Sequence, residues 1–535
     1  MTKLVKETKK KNVEEKDTIT ILLEYMVTLL FLILVIFLPI YMKEGFYKIG
    51  DVKYTLYANV TKLALPVLFG MVILYFICNY KKWNLQRLLK NISLLDCMVI
   101  VYLLFVFLSS ALSNYHDKIW AGYSGWFMGL YSQISFVCIY FLISRYGQNA
   151  MAIIFCLCGT AGYAYLMGIL NRFLIDPLGV YEGLQEYYKL QFLSTLGQAS
   201  WYSAFVCTVL PIGLYFFWSS KKRWVRIVSG IFSFLGFSTL VTQNSDSAYI
   251  ALLCFMGAFL WFAVEDIWHL QRFFQMAILF LLSVKVMYIG TIIHPENMIG
   301  SLDTLSQFLI GSSLTWILLV VCVVIWGCLL LYQKKEIYNQ KLMKIIRNLI
   351  YLLVGIVIIL AIVLLVLGTK GLLPENVMVI LRQIPYLYWT DYWGSGRGFT
   401  WRFTGNMFKE MSLGKKIFGV GPECYPYYGY EFAAADLNAK WGSNILTNAH
   451  NEWLTAVINY GILGGIAYLG IFVSAVAGFA KKAAKSPILI GIIACIFSYG
   501  GHNLFCYQTV LCTPFIFMFM GIGEWYARKD SEKLS

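Results

Sequence analysis

Polar residues that could carry out chemistry are concentrated in one long segment, residues 369–452, of an otherwise strongly apolar chain. The segment contains the motifs GRGFTW, GVGPECY and NAHNEWL, which place arginines, glycine turns and His450 just before an apolar run. Arginine offers a permanently charged, planar fork for phosphate, and histidine can accept a proton near neutral pH. Long loops between helices are usually functional or disordered, so we predict that residues 369–452 form a catalytic loop.

His450 precedes a predicted membrane helix, and Thr447 or Asn448 is expected to cap that helix. A helix N-terminus favours anions and disfavours imidazolium, so this position would attract phosphate and keep His450 neutral. The alternative is that His450 is an interfacial capping residue. Asn451 and Glu452 are expected either to orient the ring or an acceptor, or to cap the helix.

Aromatic side chains surround these motifs, with Trp389, Trp393 and Trp401 before the glycine turns and several tyrosines after them. Their flat apolar faces suit sugar rings, but they also suit the aromatic belt of any membrane protein. Both interpretations stay open from the sequence.

The apolar pattern from 399 to 411 predicts a short helix lying on the membrane. At about 100° per residue, Arg397 and Trp401 share one face of such a helix. Arg402 is rotated by roughly 140° from Arg397. We therefore expect the two arginines not to contact one group from a single regular helix.

The composition predicts the fold class, an all-α polytopic integral membrane protein. The chain is 59% hydrophobic, 17% aromatic and 13% charged, whereas soluble domains carry about 25% charged residues. The apolar run 19–42 is too long for a signal-peptide core and lacks a small-residue cleavage site, which predicts an uncleaved first span. The 13 cysteines are scattered through apolar runs and indicate neither a disulfide framework nor a metal site.

Apolar runs of membrane-spanning length predict about 14 (12–14) transmembrane helices. They lie at residues 19–42, 61–79, 94–112, 126–144, 150–170, 199–218, 227–244, 247–264, 273–293, 312–332, 348–368, 453–479, 487–505 and 508–526. Lys and Arg are several times more frequent in alternate loops, which places both termini in the cytoplasm and the large loop outside. The predicted divisions are a cytoplasmic basic tail (1–18), N-terminal transmembrane helices (19–368), the extracytoplasmic catalytic loop (369–452), C-terminal transmembrane helices (453–526) and a cytoplasmic tail (527–535). Because the basic residues are distributed loop by loop, nucleic-acid binding is disfavoured.

The motifs, in this order and before a membrane span, resemble those of the bacterial O-antigen ligase and polysaccharide polymerase superfamily. The resemblance covers about 396–469 and rests on R-x-x-x-W at Arg397 and Trp401, G-x-G at Gly419 and Gly421, A-H-N-x-x-L from Ala449 to Leu454, and G-x-x-G at Gly461 and Gly464. Members of this superfamily are polytopic glycosyltransferases.

The resemblance implies transfer of a glycan from undecaprenyl diphosphate to a glycan or glycolipid acceptor, at the outer face of the bacterial cytoplasmic membrane. Arg397, with Arg402, would bind the diphosphate and His450 would be the base, without a metal or another cofactor. Trp389, Trp393, Trp401, Asn451 and Glu452 are the candidates for glycan or acceptor binding. Membrane lipids are the remaining partners.

One departure from the family pattern concerns a segment with an arginine, S-R-G-like, at the outer tip between two spans. Here the corresponding stretch reads TQNSDSAY, with Ser245, Asp246 and Ser247. Another cation must take this role, or the donor is held differently; the candidates are Arg402, Arg382 and Lys285. Lys285 lies within a predicted span, where an ionisable group is expensive and often functional, although a lysine near the interface can also snorkel.

Other functions remain open from the sequence. A flippase for lipid-linked oligosaccharides would place charges in a central cavity between repeated halves, and we see no such repeat. A peptidoglycan polymerase of the shape, elongation, division and sporulation type would depend on an outer carboxylate, such as Asp391, Glu423, Glu431 or Asp436. A nonenzymatic scaffold is a third alternative. Ligation and polymerisation release the same lipid diphosphate, so the sequence does not distinguish them.

His502, in YGGHNLF, is expected to form a hydrogen bond between packed helices.

Overall fold

The computed structural model describes residues 17–80, 91–189, 191–293, 302–335, 338–384 and 386–532. Within these ranges the chain is helical apart from one short hairpin, in which β1 (Phe192–Leu193) pairs antiparallel with β2 (Gly197–Gln198). The helical architecture agrees with the predicted all-α class. Most of the basic N-terminal tail and the basic stretch 81–90 lie outside the described residues.

The N-terminal part contains helices that correspond to the predicted spans, together with one short helix, α6. They are α1 (Thr18–Ile40), α2 (Ile49–Cys78), α3 (Leu94–Ala111), α4 (Leu130–Tyr146), α5 (Ala150–Arg172), α6 (Glu186–Lys189), α7 (Ala199–Ser219), α8 (Arg223–Thr242), α9 (Ser247–Ala263) and α10 (Ile267–Ile293).

The C-terminal part contains three helices before the large loop, four within it and three after it. They are α11 (Thr304–Gly311), α12 (Leu314–Lys334), α13 (Gln340–Thr369), α14 (Glu375–Arg382), α15 (Trp393–Glu410), α16 (Leu413–Phe418), α17 (Tyr425–Trp441), α18 (Glu452–Lys482), α19 (Ile488–His502) and α20 (Thr513–Glu532).

Each predicted apolar run coincides with a helix, because an apolar chain in lipid must satisfy its backbone hydrogen bonds internally. Among the described residues, 10 helices are long and apolar enough to cross a membrane, and α9 and α19 are shorter apolar helices. This is consistent with a polytopic membrane protein. Some predicted boundaries are wrong: the second apolar run was predicted at 61–79, but α2 begins at Ile49. Lys53 therefore lies in the helix and donates to the carbonyls of Leu38 and Pro39.

The protein core is formed around α7, α19 and α20. Helix α19 packs against α7, α9, α18 and α20, while α18 packs against α3 and α20 packs against α4. The most apolar part of α7 is 83% buried, whereas that of α13 is 0% buried. The exposed apolar surface of α13 is suited to lipid contact.

Two glycine motifs fix the large loop to α18 by direct backbone contact. Val420 and Gly421 donate their N–H groups to the carbonyls of Ile458 and Asn459, at 3.1 and 3.0 Å. At this point α18 is interrupted by Gly461, whose φ is +75°. A Cβ atom on Gly461 would lie 2.0 Å from the carbonyl oxygen of Ile417. The G-x-G and G-x-x-G motifs therefore have a structural reason, since only glycine permits this approach.

Candidate active site

His450 lies in a tight turn just before α18. Its φ is +48°, and its N–H donates to Oδ1 of Asn448 at 2.8 Å. Asn451 caps α18 by accepting the N–H of Leu454 at 2.9 Å, which confirms the capping interpretation of this residue, whereas the predicted caps Thr447 and Asn448 are wrong. Asn448 cannot take that role because its side chain already closes the turn that holds His450.

The His450 ring packs edge-on against the Tyr507 ring, with centroids 5.3 Å apart. Burial among protein atoms, reinforced by the Arg397 guanidinium, lowers the pKa of His450 to about 3. The side chain nevertheless keeps some accessible surface. A neutral imidazole is what proton acceptance requires, and the same environment makes it a weak base until a nearby anion raises its pKa.

Arg397 is held by the segment that connects α19 to α20. Its Nε and Nη2 donate to the carbonyl of Phe505 at 3.0 and 2.7 Å, and Nη1 donates to the carbonyl of Gly394 at 2.6 Å. These bonds use three of the five N–H donors of a guanidinium. Burial lowers the pKa of Arg397 below its ordinary value, but the group stays charged. The structure thus brings Arg397 and His450 together, as the motifs suggested.

The α15 helix that carries Arg397 is longer than the predicted 399–411 helix, because it includes a turn at its start. Gly394, Ser395 and Gly396 all have positive φ values, of 57°, 62° and 93°. Arg402 points elsewhere: its Nη2 forms an ion pair with Asp391 at 2.7 Å, and 55% of the side chain is exposed. The expected separation of the two arginines agrees with this geometry.

The other candidate cations are engaged away from this site. Arg382 is exposed and pairs with Glu375 at 3.1 Å. Lys285 is buried, and its Nζ donates to the carbonyls of Ile310 and Ser312 at 3.3 and 3.0 Å. Lysine at the C-terminal end of a short helix stabilises the exposed carbonyls there.

The three candidate tryptophans form one aromatic wall. Trp389 stacks on Trp393 with centroids 4.8 Å apart, and Trp393 lies 5.4 Å from Trp401. Trp401 in turn stacks on Phe505 at 5.5 Å, and its Nε1 donates to the carbonyl of Ala449 at 3.0 Å. The aromatic wall therefore connects the loop to the His450 turn and to Phe505.

Asn451 and Glu452 are both tied to the segment after α19. Nδ2 of Asn451 donates to the carbonyl of Leu504 at 3.0 Å, and the N–H of Glu452 donates to the carbonyl of Asn503 at 3.0 Å. The Glu452 carboxylate is 2% exposed and accepts hydrogen bonds from the side chains of Tyr468, Tyr499 and Asn503. These contacts hold the start of α18 in place.

His502 extends this buried network from Asn503 towards α7. Its Nε2 lies 2.9 Å from Oγ of Ser203, and its Nδ1 lies 2.8 Å from Oδ1 of Asn503. The predicted role as a hydrogen-bonding residue between packed helices is confirmed. The chain Ser203, His502, Asn503 and Glu452 thereby links α7, α19 and α18.

The outer tip that lacks the family arginine lies near the site. Asp246 accepts hydrogen bonds from the N–H of Leu305, at 3.3 Å, and from the Tyr386 hydroxyl. Burial and the neighbouring Asp246 carboxylate raise the pKa of Asp303 to about 7. Burial keeps the pKa of Arg397 below its ordinary value, and the Asp246 charge opposes this effect only in part. An acidic group thus stands where the family pattern leads us to expect a basic one.

Two parts of the structure in this region were not among the site residues predicted from the sequence. Residues 503–508 supply the Phe505 carbonyl and the Tyr507 ring, and nothing in their side-chain types signals this. Arg172 is fully buried beside the end of α8, and its Nε donates to the carbonyl of Thr242 at 2.7 Å. The signal for Arg172 was its position as a lone basic residue at the outer end of a span.

The rival carboxylates differ in their surroundings. Asp391 is paired with Arg402, Glu431 accepts a hydrogen bond from the Tyr115 hydroxyl, and Asp436 is exposed. Glu423 is 7% exposed, and its Oε2 accepts the N–H groups of Tyr123 and Met128. Burial raises the pKa of Glu423 well above its ordinary value.

A cavity of about 30 Å³ lies beside Glu423. Its lining includes Glu423, Asn448, Glu452 and Tyr507, and it has room for one or two water molecules. Among the described residues, no group of three or more His, Cys, Asp or Glu side chains is arranged to hold a metal ion.

Comparison with protein families gives one match, to the family described as O-antigen ligase, over residues 298–469. The matched range includes the whole large loop and the first part of α18. Comparison with curated proteins gives no match. The family match indicates a glycosyl-transferring membrane enzyme of cell-surface polysaccharide biosynthesis. Residues 298–469 thus match the O-antigen ligase family, in agreement with the superfamily that the motifs resemble.

Proposed function

We propose that the protein transfers a glycan from undecaprenyl diphosphate to a sugar hydroxyl of an acceptor at the outer face of the bacterial cytoplasmic membrane. The observation that carries this proposal is that Arg397 and His450 both contact the segment that connects α19 to α20. Arg397 donates to the Phe505 carbonyl and His450 packs on the Tyr507 ring. A fixed cation and a neutral imidazole are the two groups that the reaction needs.

In the proposed reaction the acceptor oxygen attacks the anomeric carbon of the donor, and the bond from that carbon to the diphosphate breaks. His450 takes the hydroxyl proton, and the two remaining N–H donors of Arg397 stabilise the charge on the departing diphosphate. The diphosphate also offsets the guanidinium charge and raises the pKa of His450. The base therefore becomes effective only when the donor is bound.

The remaining site residues take supporting roles in this proposal. The wall of Trp389, Trp393 and Trp401 provides apolar faces on which a sugar can stack. Arg402 reaches a phosphate only if it leaves Asp391, so we assign the diphosphate primarily to Arg397. We propose that Asn451 and Glu452 position the His450 turn, because the Asn451 side chain binds the Leu504 carbonyl and the Glu452 carboxylate belongs to the buried network.

One observation favours a second candidate function. Glu423 is a buried carboxylate whose Oε2 alone takes part in the described hydrogen bonds, and it faces the cavity beside Asn448. A peptidoglycan-type polymerase that uses a carboxylate would place its base there. The two candidates differ in which side chain accepts the proton.

The test is reconstitution in proteoliposomes with a defined glycan linked to undecaprenyl diphosphate, followed by measurement of turnover. We expect His450→Ala to lower the rate by about 100-fold to 10,000-fold, with donor binding retained, and Glu423→Gln to have a much smaller effect. The reverse order would favour the carboxylate mechanism. Since we propose no metal, added chelator should leave the rate unchanged.

Sizing of the products separates two versions of the same proposal. A ladder of increasing lengths indicates polymerisation of the donor glycan. Transfer of one glycan onto a different acceptor indicates ligation. Thermal unfolding of each variant in detergent serves as the folding control.

A further inference from the structure

At the end of the molecule opposite the candidate active site, five helices border an open groove of about 610 Å³. It lies at the beginnings of α5, α8 and α19 and the ends of α7 and α20. Helix α19 spans the distance between the two sites, with a rise of about 22 Å over its length. The groove is therefore separate from the Arg397 and His450 region.

The interior of the groove is apolar. Phe155 and Phe216 lie on one wall with ring centroids 5.1 Å apart, and Met151 and Ile488 extend the apolar surface. Phe155 is 53% exposed, which is unfavourable in water and favourable against acyl chains. The volume is within the range of about 300–1,000 Å³ that is typical of small-molecule sites.

The rim of the groove is polar and basic. Lys485 and Lys529 line it together with the hydroxyl groups of Ser219 and Ser220. None of the lining residues within the described part of the chain is acidic. By the charge distribution of the sequence, this end of the molecule faces the cytoplasm, where anionic head groups attract basic residues.

We propose that this groove binds one anionic phospholipid, with the phosphate at Lys485 and Lys529 and the acyl chains along Phe155 and Phe216. Apolar walls without a basic rim would accept any lipid. A basic rim without apolar walls would accept free phosphate. The combination selects a lipid with a net negative head group, and it is independent of the reaction proposed above.

The test uses native mass spectrometry of the full-length protein in detergent, titrated with phosphatidylglycerol or with phosphatidylcholine of the same acyl chains. The double variant Lys485→Gln, Lys529→Gln should lose most of the preference for phosphatidylglycerol, since each lysine contributes roughly a fivefold change in affinity. The matched control is Lys334→Gln, Lys335→Gln, which removes two exposed charges at the end of α12, a helix that contributes no residue to the groove lining. The control should stay within about twofold of the wild type, because charges away from the head group are screened.

A third variant, Ser220→Trp, fills the groove without changing its charge and should also displace the lipid. Equal losses in both lysine variants would indicate a diffuse basic surface and contradict the proposal. Retention of phosphatidylglycerol by Ser220→Trp would also contradict the proposal. Displacement of the bound lipid by inorganic phosphate would show an anion site that does not need the acyl chains, which is also contrary to the proposal.

Discussion

His450 combines a neutral ring with a strained backbone position. Its φ of +48° is unusual for a residue with a Cβ atom, and the Asn448 side chain stabilises the turn. Burial and Arg397 lower its pKa to about 3, so the ring remains neutral well below the pH at which an ordinary histidine is protonated. Protonation in the free protein is therefore suppressed until the pH is very low.

The first prediction concerns the pH dependence of the rate. The kcat/KM of an enzyme reports the free enzyme, and kcat reports the bound state. We expect kcat/KM to stay constant from about pH 8 to about pH 5, because a lowered pKa preserves the neutral base. We expect kcat to fall at higher pH than kcat/KM, because the bound diphosphate raises the pKa of His450. Initial rates in proteoliposomes measure both.

The control for this prediction is protein incubated at each pH and then assayed at neutral pH, which excludes irreversible unfolding. A kcat/KM that declined near the ordinary histidine pKa of about 6.5 would contradict the assigned environment of His450.

The second prediction separates the two arginines. Arg397→Lys keeps a charge but loses the planar fork, so transfer should fall roughly tenfold to more than a hundredfold, the equivalent of a charged hydrogen bond. Arg402→Lys should cost less, because the side chain is exposed and paired with Asp391. Turnover of the lipid-linked donor measures both variants, and their unfolding temperatures must match that of the wild type. Equal, slight effects would instead favour anchoring to lipid head groups.

At the scale of secondary-structure elements, the position of the large loop depends on how closely it approaches α18. A Cβ atom on Gly419 would lie 2.2 Å from the Asn459 carbonyl oxygen, and one on Gly461 would lie 2.0 Å from the Ile417 carbonyl oxygen. The two motifs are thus the two sides of a single contact. Val420 and Gly421, the remaining residues of the G-x-G motif, donate their N–H groups to carbonyls of the kinked helix.

The third prediction is that Gly461→Ala abolishes most activity and lowers the unfolding temperature. Its positive φ and the nearby carbonyl leave no space for a methyl group. Gly478→Ala is the matched control, because Gly478 lies in the same helix and has no heavy atom within 4 Å of a Cβ position. That control should be neutral or stabilising by about 0.5–1 kcal/mol. Similar behaviour of the two variants, measured by thermal unfolding and turnover, would be inconsistent with the described contact.

The helices could be predicted from the sequence because long apolar runs have few alternatives in lipid. The proposed roles of Arg397 and His450 also start from the sequence, because arginine can bind phosphate and histidine can accept a proton. The residue that caps α18 could not be predicted, since Asn448 and Asn451 are equally good caps by local sequence. The pairing of Arg402 with Asp391 could not be predicted either, because it depends on the left-handed turn at Gly394 to Gly396.

The 503–508 segment shows most clearly why part of the site is invisible in the sequence. Phe505 binds Arg397 through its backbone carbonyl. Any residue has that carbonyl, so the side chain at this position carries no signal. Only the packing of α19 between α7 and α9 determines where the carbonyl lies.

At the scale of the whole molecule, the distribution of basic residues predicts that the large loop lies outside the cytoplasm. The fourth prediction is that Ser443→Cys, in a background with Cys424 replaced by serine, reacts with an impermeant maleimide added to intact cells. Ser443 is exposed near the end of the loop, whereas Cys424 is buried. Lys222→Cys, in a loop predicted to be cytoplasmic, is the control and should react only after the membrane is disrupted. Labelling of Ser443→Cys only after disruption would refute this topology.

The position of residues 503–508 in the chain has a consequence for biosynthesis. Translation makes the loop with Arg397 and His450 before it makes the Phe505 carbonyl and the Tyr507 ring that hold these groups. A nascent chain therefore carries all of the loop motifs while Arg397 and His450 still lack these contacts. Under the proposed mechanism, glycan transfer would therefore begin only after α19 and the segment behind it have been made.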